Sequence, residues 1–161
     1  MEIRLSERTE QSVAIYFEKA NAPGIRAVLP QKAKTLEEAL YDYRQTLLPG
    51  AASFGRTIYA DGQYVGDVWC YCIDPADEPN AMVSYCVFEE TLWGKGVATE
   101  ALKLFLKEAA AKFHLKSVGA FTYARNASSI RVLEKCGFGP VEEFMEDGVL
   151  SVYYQLEVEP Q

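Results

Sequence analysis

The segment Glu90–Phe113, "ETLWGKGVATEALKLFLKEAAAKF", decides how this chain is read. Gly94 and Gly96 flank a lysine directly against the start of a long amphipathic pattern. Ala98, Ala101, Leu102, Phe105, Leu106, Ala109, Ala110 and Phe113 recur at helical spacing, with Lys103, Lys107 and Lys112 outside the stripe. A glycine costs about 1 kcal/mol in a helix interior, so a pair at a helix entrance marks a backbone that bends sharply or is approached closely. The strand-like run Ala81–Phe88 feeds this entrance. A strand leading through glycines into a helix presents unpaired N–H groups at the positive end of the helix dipole, which is an anion site, and Lys95 adds charge to it.

Working outward, Ile3–Leu5 reads as a short strand and Glu10–Asn21 as a helix closed by Pro23-Gly24. A second helix, Thr35–Leu48, starts with Thr35 and Glu38 in capping-box spacing and stops at Pro49-Gly50. Arg56–Ile73 is rich in Tyr, Val, Ile and Trp around Asp61-Gly62, the signature of a two-residue type I′ hairpin. After the glycine segment, Ser117–Tyr123 is strand-like and Ala127–Cys136 is a short helix ended by Gly137. A last hairpin turns at Asp147-Gly148 into Val149–Val158. This order predicts an α/β (α+β) fold: a mixed, mostly antiparallel twisted sheet of six to seven strands with helices on both faces. Residues 1–161 are expected to make a single domain.

The composition narrows the function. Hydrophobic residues are 49% and charged residues 24%, as in soluble globular chains. No window is apolar enough to span a membrane and Met1–Glu10 is charged, so the expected compartment is the cytoplasm and no membrane partner is expected. A formal net charge of −7 argues against nucleic acid. The charge is uneven: Thr91–Gly139 carries eight Lys or Arg against three Glu, a net of +5, leaving −12 for the rest. One segment suits an anion and the remainder a cation. The four cysteines and the single histidine, His114, lack zinc-ligand spacing, so no metal is expected. Cys70 and Cys72, two apart in a strand, are expected to be buried together on one face. Trp69 and Phe121 are assigned to the core, whereas Tyr85, Tyr123, Tyr153 and Tyr154 are placed as strand aromatics that pack or line an acceptor groove.

Two phosphate loops fail on spacing. A P-loop needs four residues between its glycines and a following Lys-Ser/Thr, which "GKGVAT" lacks. A dinucleotide fingerprint needs a third glycine where Thr99 stands, and further βα units behind it. A third pattern matches. Trp93-Gly94-Lys95-Gly96-Val97-Ala98 resembles the pyrophosphate loop of the acetyl-CoA-dependent N-acetyltransferases of the GNAT superfamily, Gln/Arg-x-x-Gly-x-Gly/Ala, at every position but the first. Trp93–Leu102 is similar to the wording of the ribosomal-protein N-terminal acetyltransferase branch. "NASSIRVLEKCGF", Asn126–Phe138, resembles the family's Asn-x-x-Ser-x-x-x-x-x-Lys-x-Gly-Phe segment. The two segments, at the expected separation and in the expected order, with an antiparallel hairpin before and another after, cover essentially the whole chain.

The resemblance implies acetyl-CoA as cosubstrate and an amine-bearing acceptor, a protein N-terminus or a small molecule, with the chain acting as monomer or homodimer. It implies that the strand around Cys86 and Val87 splays and lends backbone groups to the pantetheine arm, and that N–H groups of Trp93, Gly94, Lys95, Gly96, Val97, Ala98 and Thr99 take the pyrophosphate. Asn126 serves the cofactor arm, or caps the helix at Ala127, or both. The tyrosine that many relatives place seven residues after this asparagine is here Leu133, so Ser129 is the expected hydrogen-bond donor to the departing sulfur. The acidic residue expected in the preceding strand falls near Met82, which leaves Glu89 as the expected base. An α-amine, titrating near 8, needs less help from a base than a lysine near 10.4, and this favours an α-amine acceptor. The missing tyrosine and Met82 also admit a catalytically silent CoA-binding sensor or interaction domain.

Overall fold

A computed structural model describes residues 1–29, 31 and 33–158. Among them, β1 (Ile3–Glu7), β2 (Phe54–Ala60), β3 (Gln63–Asp74), β4 (Asn80–Val87), β5 (Ser117–Tyr123), β6 (Gly139–Glu146) and β7 (Val149–Glu157) form one sheet in the order β1-β2-β3-β4-β5-β7-β6. Every neighbouring pair is antiparallel except β4 and β5. The helices are α1 (Glu10–Ala20), α2 (Pro23–Arg26), α3 (Leu36–Gln45), α4 (Val97–Phe113) and α5 (Ala127–Lys135). The mixed sheet expected from the sequence is therefore present. Both hairpins turn on Asp-Gly with the φ values type I′ demands, 49° and 81° at Asp61-Gly62, 49° and 78° at Asp147-Gly148.

Helix α4 lays its apolar stripe on one sheet face. Val97, Ala101, Phe105 and Ala109, four residues apart, are nearly inaccessible and join Leu102, Val68, Val83, Val118 and Leu133 in the main core. The opposite face is covered by α1 and α2, where Ala20, Ile25 and Cys86 pack with Tyr16, Leu29, Trp69 and Phe88. Beneath α1 the Arg8 guanidinium meets buried Asp67 at 3.1 Å, and the Tyr64 phenol donates to the same carboxylate at 2.5 Å. Burial pushes the Asp67 pKa up, against the pull of Arg8 and Tyr64.

Four local expectations change. Pro23-Gly24 opens α2 instead of closing the first helix, because proline at the first helical position gives up only an N–H that has no intrahelical partner. The next helix ends at Gln45, short of Leu48, whose α conformation is disfavoured by Pro49. Thr35 accepts from the Glu38 amide as expected, but the Glu38 carboxylate reaches back to the Lys34 amide, one residue beyond a reciprocal box. Cys70 is buried while Cys72 is exposed: the β3–β4 register slips between Tyr71 and Asp74, and Cys72 adopts a φ of 52° that turns it off the shared face. No helix of the described residues is long and apolar enough to cross a membrane.

Candidate active site

The two central strands part company. β4 and β5 are registered only at Asn80–Ser117, Ala81–Val118 and Met82–Gly119, and beyond Met82 they diverge. Gly119 stands at the fork: a β-carbon there would lie 2.6 Å from Tyr153 Oη and 2.8 Å from Met82 Sδ, so only glycine lets both side chains close the base of the split. The split opens into a cavity of about 590 Å³ that passes through the sheet and is lined from both faces. Val83, Tyr85, Val97 and Leu133 border it on the α4 side, and Ile25, Leu29, Tyr71 and Cys86 on the α1–α2 side.

On the α4 side, the chain leaves β4 through a 3₁₀ turn, Glu90–Leu92, and the Trp93 indole Nε1 donates to the Val87 carbonyl at 2.7 Å, pinning the loop to the strand end. Gly94 and Gly96 have φ of 78° and 86°, and no atom lies within 4 Å of where their β-carbons would be. The glycines are there for backbone conformation, and the space beside them is open. The first bond of the α4 ladder runs from Glu100 N to Gly96 O at 3.0 Å, so the amides of Val97, Ala98 and Thr99 precede the ladder and point out of the helix start. A 17-residue helix stands behind them, with its dipole aimed at the opening.

The structure thus narrows the expected set. Trp93, Gly94, Gly96, Val97, Ala98 and Thr99 line the cavity, with Cys86, Val87, Asn126 and Ser129. Lys95 is exposed and does not line the cavity. The Trp93 and Lys95 amides are already spent on Glu90 O and Leu92 O, because the 3₁₀ turn takes them, and the Val87 carbonyl is taken by the indole. Glu89, expected as the base, is exposed; it accepts from Thr91 Oγ1 at 2.9 Å and lies outside the cavity lining. The lining holds a different carboxylate, Glu146 at the end of β6, with Arg131 and Lys135 of α5 as the other charged members.

Asn126 caps α5, its Oδ1 accepting from Ser129 N at 3.2 Å, which is the capping role weighed from the sequence. Ser129 in turn meets Tyr85: their hydroxyl oxygens are 2.8 Å apart, and the phenol also lies 3.3 Å from the Ser129 carbonyl. Burial pushes the Tyr85 pKa up to about 12, so the phenol keeps its proton. Tyr85 was legible only as an aromatic in a strand, because its partner lies 44 residues away. Glu146 carried no signal that set it apart from Glu142 and Glu143.

The remaining aromatics sort by strand alternation. Tyr123 lines the cavity, whereas Tyr154 is buried in the core and Tyr153 faces the other way, as neighbours in a strand must. Phe121 is 52% exposed rather than core, since its face of β5 carries no helix; it packs on Phe144 at 5.3 Å and Tyr153 at 5.2 Å. Trp69 is half-buried between Tyr16 and Arg8.

Comparison with known proteins assigns the family. The acetyltransferase (GNAT) domain family matches residues 3–139. The chain belongs to this family. GNAT enzymes take their acetyl group from acetyl-CoA, and the cavity fits that cosubstrate: the methyl-sized openings at Gly94 and Gly96 and the free first-turn amides of α4 suit a pyrophosphate. The probable N-acetyltransferase YjcK of Bacillus subtilis (strain 168) is 33% identical over 85 residues, spanning 53% of this chain and 46% of that relative. Among solved structures, the aminoglycoside acetyltransferase AAC(6')-Ib in complex with coenzyme A superposes with a TM-score of 0.81 at 17% identity, covering 97% of this chain and 95% of that one. RimL, a ribosomal-protein alpha-N-acetyltransferase in complex with coenzyme A, gives 0.82 at 16%, covering 97% and 94%. The spermidine N-acetyltransferase of Vibrio cholerae with CoA and spermine gives 0.83 at 15%, covering 96% and 95%. At such identities the likeness speaks for the fold, and these GNAT neighbours act on different amines.

Proposed function

We propose that this chain transfers acetyl from acetyl-CoA directly to a primary amine, with an N-terminal α-amine of a protein or peptide as the leading acceptor and a small-molecule amine as the wider class. The observation that carries the reading is the cavity through the fork of β4 and β5, which joins an anion-ready helix start on one face to a carboxylate-bearing, aromatic-walled chamber on the other. Bound there, acetyl-CoA supplies an acetyl thioester. The amides of Gly96, Val97, Ala98 and Thr99 hold the pyrophosphate. With the Tyr85 phenol donating to Ser129 Oγ, the serine's own proton passes to the departing thiolate as the Tyr85 proton moves onto Ser129, so no serine alkoxide is left and the phenol regains its proton from solvent; Tyr85 also holds that rotamer. Asn126 fixes Ser129 through its cap. On the acceptor side, Glu146 attracts an ammonium to the mouth and accepts the proton that the amine gives up, a modest demand for an α-amine titrating near 8.

Two measurements test this. Acetyl-CoA at a hundred times its dissociation constant should stabilise the fold by about 2.7 kcal/mol, with NAD and ATP as controls. Free thiol should then be released when peptides, amino-acid amides or other primary amines are added. Stabilisation with no thiol release for any amine assigns the chain to the CoA-binding sensor class. No stabilisation by acetyl-CoA overturns the reading altogether.

A further inference from the structure

One polar side chain in the chamber has no task in that mechanism. Ser151 of β7 lines the cavity at 2% exposure, and its Oγ has no hydrogen-bond partner among the described residues. A buried hydroxyl without a partner is unfavourable and rare, and packing alone would be served by alanine. Ser151 stands opposite Tyr123 of β5 and Phe144 of β6, and therefore on the acceptor face with Phe121. Glu146 pairs with Val149, two residues from Ser151, so Glu146 and Ser151 are diagonal neighbours on one face of the hairpin, about 7 Å apart. An ammonium held by one and the carbonyl of the adjoining amide held by the other bridge that spacing. The charge at the rim points the same way. Glu146 is the single carboxylate among the described lining residues, and the Arg125 guanidinium lies 5.1 Å from the centre of the Tyr123 ring, where it repels a second ammonium.

We propose that Ser151 is a specificity-determining residue: its hydroxyl donates to the carbonyl next to the acceptor amine, so that the site selects a monocationic α-amino amide over a polyamine. The inference rests on the transferase reading above and deepens it. The test compares kcat/KM for phenylalaninamide, phenethylamine and spermidine in the full chain with acetyl-CoA, and then in Ser151→Ala. Phenylalaninamide and phenethylamine differ by the carboxamide alone. The native chain should prefer the amide and use spermidine least. In Ser151→Ala the ratio of amide to phenethylamine should fall roughly tenfold, with no loss of melting temperature, since the lost hydroxyl has no protein partner. An unchanged ratio in Ser151→Ala, or spermidine preferred by the native chain, overturns the proposal while the transferase reading stands. No turnover of these three amines overturns this inference, and acetyl-CoA stabilisation with no thiol release from peptides or any other primary amine overturns the transferase reading as well.

Discussion

Removing the Tyr85 hydroxyl separates a relay from mere packing. In Tyr85→Phe the ring keeps its place beside the core, but Ser129 Oγ loses a partner 2.8 Å away. The phenol is neutral up to about 12, so what is lost is one hydrogen bond between uncharged groups, worth about 1 kcal/mol in stability. Catalysis should suffer more than stability. If the phenol fixes the rotamer from which Ser129 serves the sulfur, Tyr85→Phe and Ser129→Ala each remove the same proton donor, and each should slow turnover by about 10²-fold, the low end for a positioned proton donor. The double variant should then be no slower than either single one. Two independent contributions of that size would instead multiply to about 10⁴. The assay is thiol release at saturating acetyl-CoA with one amine, read as kcat for the four proteins, with acetyl-CoA affinity from thermal shifts as a control on binding. Multiplicative losses, or a Tyr85→Phe enzyme as fast as the native one, would refute the relay.

Gly96→Ala should lower stability by about 1–2 kcal/mol through its left-handed φ of 86° alone, because no protein atom lies near the added methyl. The acetyl-CoA-induced rise in melting temperature should shrink by more than that strain explains, since the methyl enters the space before α4. Stability should also fall on the alkaline side. Burial raises Tyr85 and Cys70 to about 12 and Cys86 to about 11, above the 9 to 10 of the unfolded chain, so in that window the folded state holds more protons. The urea midpoint should therefore decline as pH rises from about 9 toward 11, at up to about 1.4 kcal/mol per pH unit for each group that titrates only on unfolding; a flat profile would contradict the burial. Thiol titration of the native chain at neutral pH should show one fast cysteine, Cys72, and Cys72→Ser should abolish that phase.

What the sequence makes legible is what local chemistry dictates. Asp-Gly turns, the four-residue ladder of α4 and the two glycines at its start each follow from steric or periodic rules acting within a few residues, and the structure places all of them as expected. Apart from Asn126 and Ser129, which the family resemblance picks out, the site is legible only where it is built from backbone. Tyr85 and Ser129 meet across 44 residues of chain, and no local pattern encodes a fork with Gly119 packed at its base against Tyr153 and Met82. Glu146 lines the cavity and Glu89 does not for the same reason: closeness along the chain to the glycine loop is not closeness in space, and the β6–β7 hairpin carries its carboxylate to the chamber from the far edge of the sheet. The Cys72 and Phe121 misplacements come from a register slip and an uncovered face, both tertiary facts.

The three-rung pairing of β4 with β5 has a mechanical side. The sheet is two panels, β1–β4 and β5–β7–β6, sewn together by a seam only three residues long and backed by α4 and α5. A molecule threaded through the gap would supply the rungs that the seam lacks, joining ligand and protein in one continuous wall. Amide hydrogens of Ala120–Tyr123 and Ser84–Val87, on the two lips of the gap, should then be the first to slow in exchange when the cosubstrate enters, and the panels should come apart together, not one at a time.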